Sequence, residues 1–327
     1  MNKSIKIFIK WFVGPILAIW LFYSLYNQVI AQPDFNAQVS MIRSLPYGPQ
    51  AWKCWLVLLL VFLNWGLEAA KWKLLVNTLQ PMNFFQAFKS VLCGVTLSLN
   101  TPNRMGEYAG RMLFVQEGNR LKTISLSMAG GLAQLIITLI IGTCGVAWLL
   151  FSATGISLFI NLDQYWLLLF FYGSILVSIA LVFFYFRMRG LIWLVNKLPY
   201  SHKFLEYINV LKALDVKILL RLLLLSLARY GVFVFQYIFA LQLMQVEQHV
   251  GQNFWLVSIL FWILAIIPSI AIAELGIRGT IAKTLFAYSH NLLGILTVTF
   301  GVWFINLFLP AFIGSLLILG IKIKPNK

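Results

Sequence analysis

Residues 84–107 read FFQAFKSVLCGVTLSLNTPNRMGE. The apolar run from Phe84 to Leu99 ends abruptly in Asn100, Thr101, Pro102, Asn103, Arg104, Met105, Gly106 and Glu107. A second stretch, residues 254–279, reads FWLVSILFWILAIIPSIAIAELGIRG and repeats the pattern: an apolar run to Ile267, then Pro268 and Ser269, then Glu274, Gly276, Arg278 and Gly279. Each apolar run is about 14–16 residues, roughly 21–24 Å as helix, short of a hydrocarbon core of about 30 Å. Each is followed by another helical stretch too short to span. A chain that enters a bilayer, breaks at Pro and Gly and leaves on the same side satisfies both facts, because irregular backbone at membrane depth is tolerated only inside protein. Two re-entrant hairpins are the expectation.

Working outward, six further segments are long and apolar enough to cross: 11–31, 51–76, 122–150, 163–187, 218–244 and 291–320. The chain is 61% hydrophobic and 10% charged, against about 25% charged in an ordinary soluble domain. The expectation is an all-α integral membrane protein, one transmembrane domain over residues 1–327 with no room for a soluble domain. Trp52, Trp55, Trp72, Trp166 and Trp255 fall near the proposed ends, where an aromatic belt is expected. Lys3, Lys6 and Lys10 precede the first apolar run in the manner of a signal peptide. That run is long and rich in aromatics, so an uncleaved first helix is expected.

The net charge of +16 does not indicate nucleic-acid binding, since the Lys and Arg residues sit at the ends of apolar runs. It is topogenic. With the N-terminus inside, Lys71, Lys73, Lys89, Arg120 and Lys122 fall inside, as do Arg187, Arg189, Lys197, Lys203, Lys212, Lys217, Lys322, Lys324 and Lys327. Segments 32–50, 151–163 and 245–252 fall outside and contain only Arg43. Turning either hairpin into a full span would invert everything after it. Residues 1–150 and 163–320 then share one order, helix, helix, hairpin, helix, but start on opposite faces. That is an inverted repeat with opposed hairpins, a plan common in secondary transporters whose sites lie at the broken helices. Both termini are expected in the cytoplasm, and the membrane is expected to be the cytoplasmic (inner) one. Residues 188–216 read as a short interfacial amphipathic helix through Phe204, Ile208, Leu211 and Asp215, or as a loop with a buried face.

Acidic residues at membrane depth are few: Glu68, Glu107 and Glu274. Their basic counterparts are Arg104, Arg111, Arg229 and Arg278. A charge near the bilayer centre costs at least about 2.5–3.5 kcal/mol and requires a partner or water. Thr101 and Pro102 have the chemistry of a helix N-cap and first turn, and a helix starting there would aim free N–H groups inward beside Arg104 and Arg111. Glu107 shares their face, and Glu274 lies four residues before Arg278. Gly106 and Gly276 are expected at the breaks with Pro102 and Pro268. Two readings stand: an internal ion-pair network pinning the hairpin tips together, or a site that also binds a polar or anionic group. Glu68 is placed equally well at the interface or at depth. Arg229 is expected to face the core and to pair with a hairpin Glu or a headgroup. Gly130 and Gly131 are expected to permit close helix packing. Asn64, Asn100, Gln134 and Gln236 are expected to form interhelical hydrogen bonds, with the lining of a cavity as the alternative. Cys54, Cys93 and Cys144 read as small core residues, and the scattered histidines suggest no metal site.

The element Pro102-Asn103-Arg104-Met105-Gly106-Glu107, after Ser98-Leu99-Asn100, resembles the Pro-Gly-Arg-x-Gly-Glu element of the lysylphosphatidylglycerol synthase transmembrane-region family, also called flippase-like. Pro268 followed by Glu274-Leu275-Gly276-Ile277-Arg278 resembles its second element. The second element is usually glycine-rich just after the Pro; here Ser269-Ile270-Ala271-Ile272-Ala273 stands instead. The resemblance covers roughly residues 50–320. The family's synthases carry a soluble aminoacyl-transferase domain after the membrane part, and this chain stops at Lys327, so the resemblance implies the lipid-translocating half. It also implies that Arg104, Glu107, Arg111, Glu274 and Arg278 contact a headgroup.

The leading functional expectation is a flippase or transporter for a phospholipid or lipid-linked anion, with membrane phospholipids as partners, no cofactor and no catalysis. No GxxxxGK[ST] motif occurs, so direct use of ATP is not expected. An intramembrane headgroup-modifying enzyme would have Glu107 and Glu274 as its acid/base pair. A small-solute transporter, or a scaffold for a separately encoded enzyme, is the third reading, and homo-oligomerisation is compatible with each.

Overall fold

The structure, a computed structural model, describes residues 40, 43–99, 101, 105–152, 164–187, 190, 207–246, 249–267, 271–289 and 291–320. Their regular secondary structure is all helical, with no strand among them. In chain order the helices are α1 (Ala51–Val76), α2 (Phe84–Ser98), α3 (Gly106–Met112), α4 (Lys122–Phe151), α5 (Gln164–Phe186), α6 (Val216–Leu243), α7 (Val250–Ile266), α8 (Ala271–Leu285), α9 (Leu292–Trp303) and α10 (Leu309–Leu319). A π-helical turn, Phe304–Phe308, joins α9 to α10. Five helical stretches among the described residues are long and apolar enough to cross a membrane: α1, α4, α5, α6 and the α9–α10 unit. They coincide with five of the six expected segments; segment 11–31 lies outside the described residues. α2 and α7 are apolar but short, as their sequences require.

α1 and α6 form the centre and run antiparallel. Gln236 donates to the Val57 carbonyl (2.8 Å), and Arg229, seven residues earlier, reaches Asn64 (2.9 Å). The buried face of α1 steps through Val57, Val61, Asn64, Trp65, Glu68, Lys71, Trp72 and Leu75, the three-and-four spacing of one helix stripe.

α3 doubles back along α2. The Ser90 hydroxyl donates to the Arg111 carbonyl (2.8 Å), and glycines line the seam further in. A methyl on Gly110 would overlap the Cys93 carbonyl, and one on Gly106 the Leu97 carbonyl. Only glycine lets two backbones approach this closely. The base of this hairpin is closed by Gln80, whose Oε1 accepts the Gln116 N–H (3.1 Å). α8 likewise returns along α7: Tyr288 donates to Asn253 (3.5 Å), and Asn291 donates to the Met244 carbonyl (2.7 Å). The first hairpin therefore opens beside the C-terminal end of α1, the second beside the C-terminal end of α6. Because α1 and α6 are antiparallel, the hairpins enter the bundle from opposite ends. Each is seated on a helix outside its own pair: Gly142 and Gly145 of α4 receive Trp262 and Ile259 of α7, while Gly314 of α10 lies under the Leu92 carbonyl of α2.

The π turn has a local cause. Pro310 has no N–H to return to the carbonyl four residues back, at Asn306, and its ring crowds that carbonyl. The wider turn relieves the clash and aims Asn306 inward, where it is buried.

Several expectations are corrected. The segment 188–216, expected as an amphipathic helix or a loop with a buried face, lies largely outside the described residues; residues 207–208 are helical, Asn209–Ala213 is a short 3₁₀ turn, and Asp215 caps α6 by accepting the Ile218 N–H (2.7 Å). Gly131 touches nothing, and Gly130 meets only a Leu75 methyl, so the close approach on α4 falls to Gly142 and Gly145 instead. Cys93 is buried, but Cys54 is half-buried and Cys144 exposed, because α4 turns that face outward. Trp52, Trp55 and Trp166 are exposed as belt residues should be, whereas Trp72 is fully buried.

Candidate functional site

Glu68 sits on the buried stripe of α1, 6% exposed. This decides between the two placements the sequence allowed. One carboxylate oxygen accepts Arg111 Nη2 of α3 (2.7 Å); the other accepts Lys71 Nζ (3.2 Å) and faces Arg229 Nη1 of α6 (3.2 Å). Arg111 also pairs with Glu107, one turn before it on α3. Its guanidinium lies over the Trp72 ring (5.1 Å to the centroid), and the Trp72 indole donates to Ser90 (2.9 Å), which holds the Arg111 carbonyl. Arg111 is thus fixed in plane and direction, which a lysine's point charge would not achieve.

Arg229 lies between two regions. Its Nε donates to Asn64 Oδ1 (2.9 Å), and its guanidinium is sandwiched over Trp65 (5.4 Å) and Phe233 (5.3 Å). Asn64 donates to Asn306 on the π turn (3.0 Å), Asn306 donates to Gln236 (2.8 Å), and Gln236 reaches back to α1. This buried amide chain orients Arg229. On its far side Arg229 borders a cavity of about 560 Å³, lined also by Glu274 and Arg278 of α8, Gln134 and Thr138 of α4, Trp303 and Asn306. The remaining wall is aromatic and aliphatic, including Phe261, Leu264 and Ile267 near the end of α7. Arg278 donates to Glu274 Oε1 at 2.6 Å.

The site residues expected from sequence thus fall into two linked groups. Glu107 and Arg111 of the first hairpin meet Glu68, while Glu274 and Arg278 of the second line the cavity, and Arg229 touches both. Arg104, Pro102 and Pro268 lie outside the described residues, as does Asn100. Thr101 does not begin a helix. α3 starts at Gly106, and the Thr101 hydroxyl accepts that residue's N–H (2.7 Å) from across the break. Gly106 stands at its break as expected. Gly276 does not: it lies within α8, its carbonyl accepting the Thr280 hydroxyl (3.1 Å), and the second break precedes Ala271. Residues the sequence reading did not assign to the site are Lys71, Trp65, Trp303 and Asn306. The first two share the helical stripe of Glu68 and were findable by spacing. Trp303 and Asn306 depend on the π turn and carried no local signal.

In their ordinary ionisation states the described charged residues of this centre are three carboxylates (Glu68, Glu107, Glu274) against four cations (Lys71, Arg111, Arg229, Arg278). A buried cluster with surplus positive charge beside an apolar-walled cavity suits an amphipathic anion.

A search of curated proteins finds no match. The family description "Lysylphosphatidylglycerol synthase TM region" matches residues 7–314, nearly the whole chain. With five described helical stretches long and apolar enough to cross a membrane and this match over nearly its whole length, the chain is a multi-pass membrane protein of the lysylphosphatidylglycerol synthase TM-region family.

Proposed function

We propose that this protein moves a lipid with an anionic headgroup between the leaflets of the cytoplasmic membrane. The observation that carries the proposal is the central cavity. One side is ionic and amide-lined, and the other is aromatic and aliphatic, so a headgroup and its first apolar atoms can be accommodated together while the acyl tails remain in lipid. Arg229 and Arg278 would take the headgroup in the cavity, and Glu107, Arg111 and Arg104 would act at the first hairpin.

The transport reading includes a topology of six spans, the sixth being segment 11–31, with two re-entrant hairpins, an inverted repeat and both termini in the cytoplasm. Its support is the antiparallel α1–α6 pair, the opening of the hairpins at opposite ends, and their reciprocal seating on α4 and α10. Opposed broken helices meeting a midplane site are the transporter arrangement. The reading involves no bond making or breaking: Glu274 is committed to Arg278 and Glu107 to Arg111, which suits neither to general-base work.

Reconstituted protein and fluorescent phospholipids quenched from outside test the proposal. Wild type should move an anionic lipid across the bilayer, and Arg229→Ala or Arg278→Ala should slow it at least roughly tenfold, the loss expected for one charge-assisted contact. No movement by wild type, or a chemically altered lipid on mass analysis, would refute transport, the latter in favour of an enzyme.

A further inference from the structure

Buried polar atoms without a hydrogen-bond partner concentrate at the cavity. Among the described residues that line it, the Trp65 indole N–H, the Trp303 indole N–H and Arg278 Nε–H are buried donors with no acceptor in the protein. Trp65 is 6% exposed. Three donors left unsatisfied around one space is an uncommon concentration, because buried polar groups in folded proteins are nearly always paired. They come from three elements, α1, α8 and the end of α9, that share no local sequence.

The acceptor side is thinner. Glu274 Oε1 already accepts from Arg278; of the unpaired atoms at the cavity Gln134 Oε1 is a pure acceptor, and the Tyr230 hydroxyl can donate or accept. The aromatic walls would otherwise suit a quaternary ammonium. Here one face each of Trp65 and Phe233 is taken by the protein's own cation, Arg229. The cavity therefore offers more donors and positive charge than the acceptors an ammonium would need.

Resting on the transport reading, we infer that Trp65 and Trp303, with Arg278 Nε, select the headgroup: the ligand class is a phosphate bearing no amine, held by indole N–H donors as well as by arginine, and zwitterionic or amine-bearing headgroups are discriminated against. A site built to donate rejects a ligand that leaves its donors unpaired far more strongly than an apolar pocket rejects a change of shape.

The test uses the full-length protein in detergent and three probes: dihexanoyl phosphatidate, dihexanoyl phosphatidylcholine and inorganic phosphate, with affinities read by calorimetry. Phosphatidate should bind at least tenfold more tightly than phosphatidylcholine. Trp65→Phe and Trp303→Phe, which keep an aromatic ring and remove the donor, should each weaken phosphatidate binding by roughly tenfold, while leaving phosphatidylcholine binding unmoved. The exposed Trp52→Phe serves as the control and should change nothing. Equal affinity for the two lipids, or unchanged phosphatidate affinity in both indole variants at wild-type melting temperature, overturns the selection while leaving lipid transport intact. Binding of inorganic phosphate with no binding of either lipid does the reverse: the donors select phosphate, and the lipid reading falls.

Discussion

Glu68 holds one buried carboxylate against three cations drawn from α1, α3 and α6. Its neutralisation would leave Lys71, Arg111 and Arg229 with their mutual repulsion and a single nearby acid, Glu107. Removing one partner of a buried ion pair costs about 3–5 kcal/mol, most of it from the stranded charge. Glu68→Gln is therefore expected to lower the melting temperature in detergent sharply, and Glu68→Gln with Lys71→Met, which removes a cation as well, should recover part of the loss. A double variant no better than the single one would mean that charge balance is not what Glu68 supplies. Arg111 is the most constrained of the cations, because one nitrogen serves two acids while the guanidinium plane rests on Trp72.

At the scale of elements, the hairpins depend on glycine. α3 closes on α2 because Gly94, Gly106 and Gly110 bring backbone against backbone; a methyl at Gly94 would lie 2.9 Å from the Glu107 carbonyl. Gly110→Ala must push α3 away from Cys93 and so displace Arg111, its neighbour in sequence. Overpacking of this kind costs about 1–3 kcal/mol. Gly131→Ala, on an open face of α4, should be neutral or stabilise by up to about 1 kcal/mol through helix propensity. Thermal unfolding of the two variants side by side checks this, and equal effects would contradict the close seam. The shortness of α2 and α7 was legible in the sequence, because both apolar runs fall short of a full crossing. The glycines that matter in α4 were not, since Gly130-Gly131 and Gly142 through Gly145 look alike until the partner helix is known. Gly276 was misplaced for the same reason, a helix tolerating glycine wherever its surroundings compensate.

For the whole molecule, the opposed hairpins make a topological prediction. In a variant freed of Cys54, Cys93 and Cys144, single cysteines at Pro81 and Gly118 flank the first hairpin, and at Gly251 and Ala287 flank the second. Both members of the first pair should react with impermeant maleimide only from the cytoplasmic side, both of the second only from the opposite side. Labelling of either pair from two different faces would make that hairpin a full span. The lipid-facing surface is consistent with a membrane setting: α5 exposes Leu169, Phe170, Leu176, Ile179 and Phe183, far more contiguous apolar surface than a water-facing helix tolerates. On its other side Ser174 ties α5 to the bundle through Thr143 (2.5 Å) and Trp262 (3.0 Å).

Among the described residues, the lengths and ends of the long apolar helices followed from sequence alone, because hydrocarbon thickness sets the length of an apolar run. The expected segments 51–76, 122–150 and 163–187 match α1, α4 and α5 to within a residue. Which charges meet was decided only by tertiary structure. Arg229 finds Asn64 across 165 positions, and Asn64 finds Asn306 across 242. Those contacts depend on the rotation of each helix about its axis, and in α4, apolar around its whole circumference, the sequence carries almost no preference for one face. Where a helix is apolar all round, its orientation is set by the fit of its neighbours, here glycines under carbonyls and a proline-driven π turn, and not by its own pattern.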